Sequence, residues 1–379
     1  MEVKQNLWRC GLVATLLGAL SITPGVSGAF AATGQAKASS HPSSSTHPIV
    51  ILSVGDIMLV QRMAMLVQSR GANYPFERVR PLFASADVVI GNLEAPFTYR
   101  KIPTRSKSPA SVRAGRDFIL KAAPQSASGL AFAGFHAVSL ANNHAMDYGA
   151  AGLRETISIL DRLGIRHAGA GMTGEAARRP ARLTRKGLRI TLLSYSDVLP
   201  LNWAATADRP GVAPAKGPGA REQMRRGIIA ARRDSDFVIV AIHWGEQLAK
   251  RPDPTQRELG RLLVDWGADA VLGHHPHVLQ GIEVRRGKVI AYSLGNFVSL
   301  SRTAEQRETI ILRLDVGAPH QISAARAIPV QIRTGQPVAL DILSGRGIIN
   351  RVRSLSLAFG TAIRGDGQIL LTPRSGGVP

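Results

Sequence analysis

Five separate apolar runs in this chain end in polar clusters: Gly55-Asp56, Gly91-Asn92-Leu93-Glu94, Asn142-Asn143-His144, His243-Trp244-Gly245 and Gly273-His274-His275-Pro276-His277. A short β-branched run that breaks into glycine and polar residues reads as a buried strand entering a loop. In an open α/β sheet, the carboxyl ends of parallel strands meet at one crevice. Five such ends predict one site furnished with nitrogen and oxygen ligands. The chain must therefore fold so that these strands run in the same direction and stop at the same level.

The rest of the pattern agrees with such a sheet. Residues 48–54, 86–90, 136–140, 236–242, 268–272 and 288–294 read as strands, and 74–82, 149–163, 221–233 and 254–266 as helices. Lys186-Gly187 marks a hairpin turn. Residues 309–316 and 325–333 read as antiparallel strands with no helix between them. Strand–helix alternation argues for α/β, and the late strands for a mixed or double-sheet arrangement. Residues 100–117 are basic and rich in Pro and Ser, and read as an exposed loop flanking the site. Residues 199–219 lack periodicity and read as a long functional or mobile loop.

The N-terminal segment differs. Lys4 and Arg9 precede an apolar stretch from Gly11 to about Ile22, and Ala29-Phe30-Ala31 offers a small-residue cleavage site. Residues 1–31 are expected to be a secretory signal peptide, which implies export to the periplasm or cell envelope. The rival expectation is an uncleaved membrane anchor. Residues 32–47 read as a flexible linker, 48–335 as the folded domain, and 336–379 as a partly disordered extension, frayed from about Gly365. Cys10 is the only cysteine and precedes the apolar stretch. Cleavage would remove it, which excludes disulfides and thiolate metal sites from the mature chain.

The formal net charge is +21 and the pI about 11.3. Such a surface attracts anionic polymers, phosphates or acidic headgroups. No basic run is interleaved with aromatics, so nucleic acid is disfavoured as a partner.

The strand-end residues suggest specific roles. His275 and His277 alternate after a strand, so both imidazoles could reach one metal ion or two adjacent ones, with His274 a substrate contact or a support behind them. Asp56 could bridge two divalent ions. Asn92 and Glu94 flank Leu93 and share one side of an extended segment, Asn92 facing substrate and Glu94 supplying a charged ligand oxygen. Asn143 could ligate through its carbonyl, beside Asn142. His144 could donate a proton to a leaving oxygen, oriented by Asp147. His243 completes the ligand set, and Glu246 and Asn296 could line the same crevice. Together these groups suggest one or two divalent ions of Mn, Fe, Zn or Co, among which ligand type alone does not choose.

With these motifs in hand, the chain resembles the CapA family, the poly-γ-glutamate capsule biosynthesis proteins, a branch of the calcineurin-like metallophosphoesterases. The matching segments run in order: Val54-Gly55-Asp56-Ile57-Met58-Leu59, Gly91-Asn92-Leu93-Glu94, Ser139 through Gly149, Ile242-His243-Trp244-Gly245-Glu246, Gly267 through Gln280, and Tyr292-Ser293-Leu294-Gly295-Asn296-Phe297. The resemblance implies a four-layer αββα sandwich with two mixed β-sheets and a metal crevice at one edge. It also implies a role in making, releasing or anchoring an anionic polymer, poly-γ-glutamate or similar, beside a membrane-bound synthase or export complex. The wider phosphoesterase pattern opens Asp-x-His, whereas this chain has Asp56-Ile57-Met58. Two functions compete: a metal-dependent hydrolase, and a non-catalytic accessory that binds a polyanion.

Overall fold

The computed structural model describes residues 48–372 apart from Arg116, Leu201 and Arg302; the expected signal segment and linker lie outside them. Along the Ile49–Ile57 strand every residue but Val50 is buried. Burial on both faces is what a continuous apolar run demands. This strand pairs in parallel with Val88–Leu93 and antiparallel with Glu308–Ala318. They belong to a nine-stranded sheet ordered Gln336–Ala339, Gln321–Arg333, Glu308–Ala318, Ile49–Ile57, Val88–Leu93, Ala137–Ser139, Arg166–Ala168. Asn296–Val298 adds to Ile49–Ile57, and Gln368–Ile369 to Gln321–Arg333. A second sheet of six strands runs Ile282–Arg285, Lys288–Ala291, Ala270–His274, Phe237–His243, Leu188–Ser196, Ala181–Arg185. Both sheets are mixed.

The period of two along each strand sorts side chains into separate cores. From Phe237–His243, residues Phe237, Ile239 and Ala241 face the first sheet, where they join Ile49, Ile51, Val88 and Ile90. Val238, Val240 and Ile242 face outward, onto Met224 and Ile228 of helix Ala220–Asp234 and onto Leu259 and Leu263 of helix Pro254–Asp265. On the far side of the first sheet, Leu52, Val54 and Val89 pack with Met63, Leu130, Leu153 and Leu160 from helices Arg62–Arg70, Ser128–Ala133 and Gly149–Arg162. The layers are thus helix, sheet, sheet, helix. Each fully buried Val, Leu or Ile contributes about 1.5–3 kcal/mol relative to exposure. Helix Pro254–Asp265 starts where it does because Asp253 and Gln256 form a capping box ahead of it.

Several expectations need correction. Residues 336–369 are not a loose extension. Gln336–Ala339 extends the first sheet, and helix Arg346–Ser356 buries Ile348, Ile349 and Val352 in the inter-sheet core. Those three have helical spacing, which the Gly and Arg around them obscured. Residues 74–82 do not make one helix. Pro75 and Pro81 each open a separate short turn, Tyr74–Phe76 and Arg80–Phe83, because a proline fits only the first turn. Residues 199–219 are not free of structure: Gly211–Val212 pairs with Ala170–Gly171, and Trp203 is buried. Residues 100–117 are not wholly exposed, because Pro109–Arg113 is helical and Lys107 is only 4% exposed.

Candidate metal centre

Register brings the polar clusters to one level. Asp56 stands beside Asn92, and Asn92 beside Ser139, in the first sheet, while His243 stands beside His274 in the second. Gly55 makes room for a further segment. A Cβ there would sit 1.9 Å from the Gly295 carbonyl oxygen, which accepts the Asp56 amide at 3.0 Å. Asn296 can then pair with Asp56.

Asp56 is the hub. It is fully buried, and its Oδ1 accepts from Asn92 Nδ2 at 2.9 Å and lies 3.1 Å from His274 Nδ1. Its Oδ2 accepts the His275 amide at 3.3 Å and lies 3.2 Å from His277 Nδ1. Burial would push this carboxyl up, but the imidazoles of His274 and His277 more than offset that and hold it well below the usual range.

Glu94 is the opposite case. It is fully buried, and neither carboxylate oxygen has a hydrogen-bond partner. Burial, then the Asp56 charge, push it well above the usual carboxylate range. His275 Nδ1 is also buried and unpartnered, and burial with His277 nearby drops this imidazole to about 3. His277 loses basicity to burial but regains more from Glu94 and Asp56, and rises to about 9. One ligand atom from each of Glu94, His275 and His277 lies within 4.8 Å of the others. His275 and His277 reach these positions through left-handed backbone, with φ of 97° and 58°, not through the strand alternation that the sequence suggested.

A divalent cation fits this pocket. A buried carboxylate with no donor is costly, and a cation between Glu94 and the two imidazoles would neutralise it. Two imidazoles and a carboxylate suit Zn, Mn, Fe or Co.

Beside the three lies a second set of donors. His243 Nε2 is 2.9 Å from Asn143 Oδ1 and 3.5 Å from Glu94 Oε1, and its ring centroid is 4.7 Å from that of His275. Burial, then His275, hold His243 well below its ordinary value. On the other flank, His144 Nδ1 is 2.7 Å from Asp147 Oδ2. A carboxylate only accepts, so Nδ1 carries the proton and Nε2 keeps its lone pair. Burial lowers the His144 pKa, with the Lys107 charge adding and Asp147 opposing. Lys107 Nζ donates to Asp147 Oδ1 at 2.6 Å and to the Phe118 carbonyl at 2.8 Å, and lies 3.1 Å from His144 Nδ1. Leu120 N closes the Asp147 shell at 2.7 Å.

The structure thus brings Asp56, Glu94, Asn143, His144, Asp147, His243, His275 and His277 into one cluster. Asp56 stands behind His277 with both oxygens engaged, not among the open donors. Four residues expected to touch substrate are instead bonded internally. Asn92 spends its amide on Asp56 and its carbonyl on Asn142. Asn142 also donates to the Leu93 carbonyl and accepts the His144 amide. His274 holds Asp56. Asn296 pairs with His277 and donates to Ser301 and the Gln306 carbonyl. Glu246 is exposed, and among the described residues its side chain bonds to none of the cluster. Lys107 was missed. Ser106-Lys107-Ser108-Pro109 reads as surface, and no local signal marks that this lysine turns inward.

Residues 50–301 match the family described as bacterial capsule synthesis protein PGA_cap. The chain belongs to this family. Every cluster residue falls inside the matched span, whereas helix Arg346–Ser356 falls beyond it. The PGA biosynthesis protein CapA of Bacillus subtilis is 33% identical over 302 residues, covering 79% of this chain and 76% of the relative. The capsule biosynthesis protein CapA of Bacillus anthracis is 29% identical over 289 residues, covering 76% and 69%. A probable polyglutamine synthesis accessory protein of Mycobacterium tuberculosis is 36% identical over 170 residues, covering 43% and 45%. Among solved structures, the sulfate thiohydrolase SoxB of Thermus thermophilus overlaps at a TM-score of 0.40 and 12% identity, covering 77% of this chain and 45% of that one. A likeness that loose says nothing about the chemistry.

Proposed function

We propose that this capsule synthesis family member is an exported, metal-dependent hydrolase acting in the synthesis, release or anchoring of poly-γ-glutamate or a related anionic polymer. The observation that carries it is Glu94, buried with both oxygens unpartnered and gathered with His275 and His277 within 4.8 Å. The name of the Bacillus subtilis relative supplies the polymer and that of the Bacillus anthracis relative the capsule, and the charge of +21 suits a polyanion. The basic and apolar N-terminal segment supports export.

When bound at Glu94, His275 and His277, a divalent cation supplies Lewis acidity and acidifies water. The chain's own groups do the rest. His144 rests neutral with a lone pair on Nε2, so it can take a proton there and return it to the leaving nitrogen or oxygen. Asp147 fixes the ring through Nδ1 and steadies the imidazolium that forms. Lys107 holds Asp147 in place. His243 presents Nε2 toward Glu94 from the second sheet, and Asn143 of the Asn142–His144 loop lies against that same nitrogen.

The test is turnover of an aryl phosphodiester and shortening of poly-γ-glutamate, with and without a chelator. Chelator-sensitive turnover of either, restored by Mn or Zn, supports the hydrolase. Turnover that ignores the chelator refutes metal dependence. A second reading is a non-catalytic accessory in an export complex, favoured by the mycobacterial relative's name as a synthesis accessory protein. Polymer binding with no turnover after metal loading would favour it.

A further inference from the structure

The segment after Glu94 and the helix after Asp147 enclose a groove of about 570 Å³. Its walls include Tyr99, Arg100, Lys101, Arg154, Glu155 and Arg162. All four cations are exposed, and none has a carboxylate partner among the described residues. Elsewhere the chain's arginines commonly pair: Arg189 with Asp236, Arg225 and Arg226 with Glu222, Arg232 with Asp269, Arg285 with Asp265. The one acid in the groove is already engaged. Glu155 accepts from Thr98 Oγ1 at 2.6 Å and from the Tyr99 amide at 3.3 Å. It braces the wall through neutral donors, and its single charge leaves the four cations in excess. Clustered like charges repel, so four unpaired cations on facing walls are a cost in the free protein that an anion removes.

The walls of the groove lie close in sequence to residues of the metal centre. Tyr99 to Lys101 follow Glu94 by a few residues, and helix Gly149–Arg162 starts just past Asp147. The Thr104 amide donates to the Asp147 carbonyl at 2.8 Å, which ties the loop after Lys101 to the same point. Arg154 and Arg162 are two turns apart on one helix face, about 12 Å along the axis. A ligand that meets both, and Arg100 and Lys101 opposite, must carry several anionic groups along an extended chain.

We propose that this groove is the track that seats a polycarboxylate chain and feeds it to the metal centre. The proposal rests on the polymer-directed reading above and adds the place and chemistry of binding. The single exposed aromatic here is Tyr99, at 67%. A nucleic-acid track would stack bases on several aromatics, so a carboxylate polymer fits these walls and single-stranded DNA does not.

The test is binding of poly-γ-glutamate to the purified full chain over a range of salt. The variant Arg100→Gln/Lys101→Gln/Arg154→Gln/Arg162→Gln is compared with Arg62→Gln/Arg333→Gln, which alters a different basic groove lined by Arg62, Leu300, Arg333 and Thr334. Melting temperature and metal content confirm that each variant is folded. The fourfold variant is expected to bind at least tenfold more weakly, with a flatter dependence of log Kd on log salt. The Arg62/Arg333 variant is expected to bind within about twofold of wild type. Unchanged binding by the fourfold variant overturns the proposal. So does loss in the Arg62/Arg333 variant instead, failure of the wild type to bind the polymer, or equally tight binding of single-stranded DNA. Binding is read without turnover, so a failure here is separable from failure of the hydrolase reading, which the chelator experiment reports.

Discussion

Replacing Lys107 with Met tests how the His144 flank is held. Lys107 and Asp147 are paired at 2.6 Å with side-chain exposures of 3% and 0%. Methionine keeps the length of the apolar stem and removes the ammonium, and with it the contact of Nζ over the Trp203 ring at 5.1 Å and the bond to the Phe118 carbonyl. Asp147 then keeps His144 and the Leu120 amide but loses its counter-charge in a site without water access. Removing one partner of a buried pair costs about 3–5 kcal/mol, because the other charge is stranded. At roughly 2 °C per kcal/mol for a chain of this size, melting should fall by about 6–10 °C. Asp147→Asn alone strands Lys107 and should cost a similar amount. The double variant Lys107→Met/Asp147→Asn leaves neither charge unpaired, so its loss should be clearly smaller than the sum. Thermal and urea unfolding of the four proteins give the cycle directly. A loss under about 1 kcal/mol for Lys107→Met, or strict additivity in the double variant, would refute a buried pair holding this flank.

Three further outcomes follow from other contacts. Gly55→Ala should destabilise the protein by more than about 3 kcal/mol or block folding, since its Cβ would meet the Gly295 backbone at 1.9 Å and neither strand can yield; recovery of soluble protein with an unchanged melting temperature would contradict the close approach. His144→Gln should lower turnover by about 10²–10⁴-fold while leaving metal content intact, as expected for a proton carrier that is not a ligand. The third outcome concerns Asp87, whose Oδ2 accepts from the Val50 amide and from Lys186 Nζ. Burial raises its pKa, but those two bonds outweigh it and leave it lowered. A depressed folded value means the contribution is complete above the unfolded pKa of about 3.9 and fades as pH falls through the folded one. Asp87→Asn should therefore be less stable than wild type at pH 7, with the gap closing below about pH 4, as read by urea midpoints across that range.

The strand-end clusters were legible because a buried parallel strand leaves little choice of residue. Phe237 to Ile242 is apolar on both faces, and the first polar residue, His243, must mark the exit. The four layers were legible only through the resemblance, since alternation in one strand does not say which sheet it faces. The helix Arg346–Ser356 was hidden because only Ile348, Ile349 and Val352 carry its apolar face amid Arg, Gly and Ser. Within the cluster, residue type marked groups that the fold gathers together but not how their donors and acceptors are divided. Asn92, Asn142, His274 and Asn296 have the same donors and acceptors as ligands or substrate contacts. Only their partners show that those atoms are already spent. Glu94 stands out for the converse reason, a buried carboxyl group left without donors. Lys107 was illegible because its burial depends on Asp147, Phe118 and Trp203, none of which is near it in sequence.

The most direct measurement is the metal content of the purified protein beside His275→Ala/His277→Ala, each after incubation with Mn or Zn and removal of loosely held ions. The wild type should retain at least about one divalent ion per chain, and the variant should retain almost none while staying folded, because Glu94 alone is a weak ligand. A wild type that is metal-free after such loading, or a variant that holds metal as well as the wild type, would contradict a cation site at Glu94, His275 and His277.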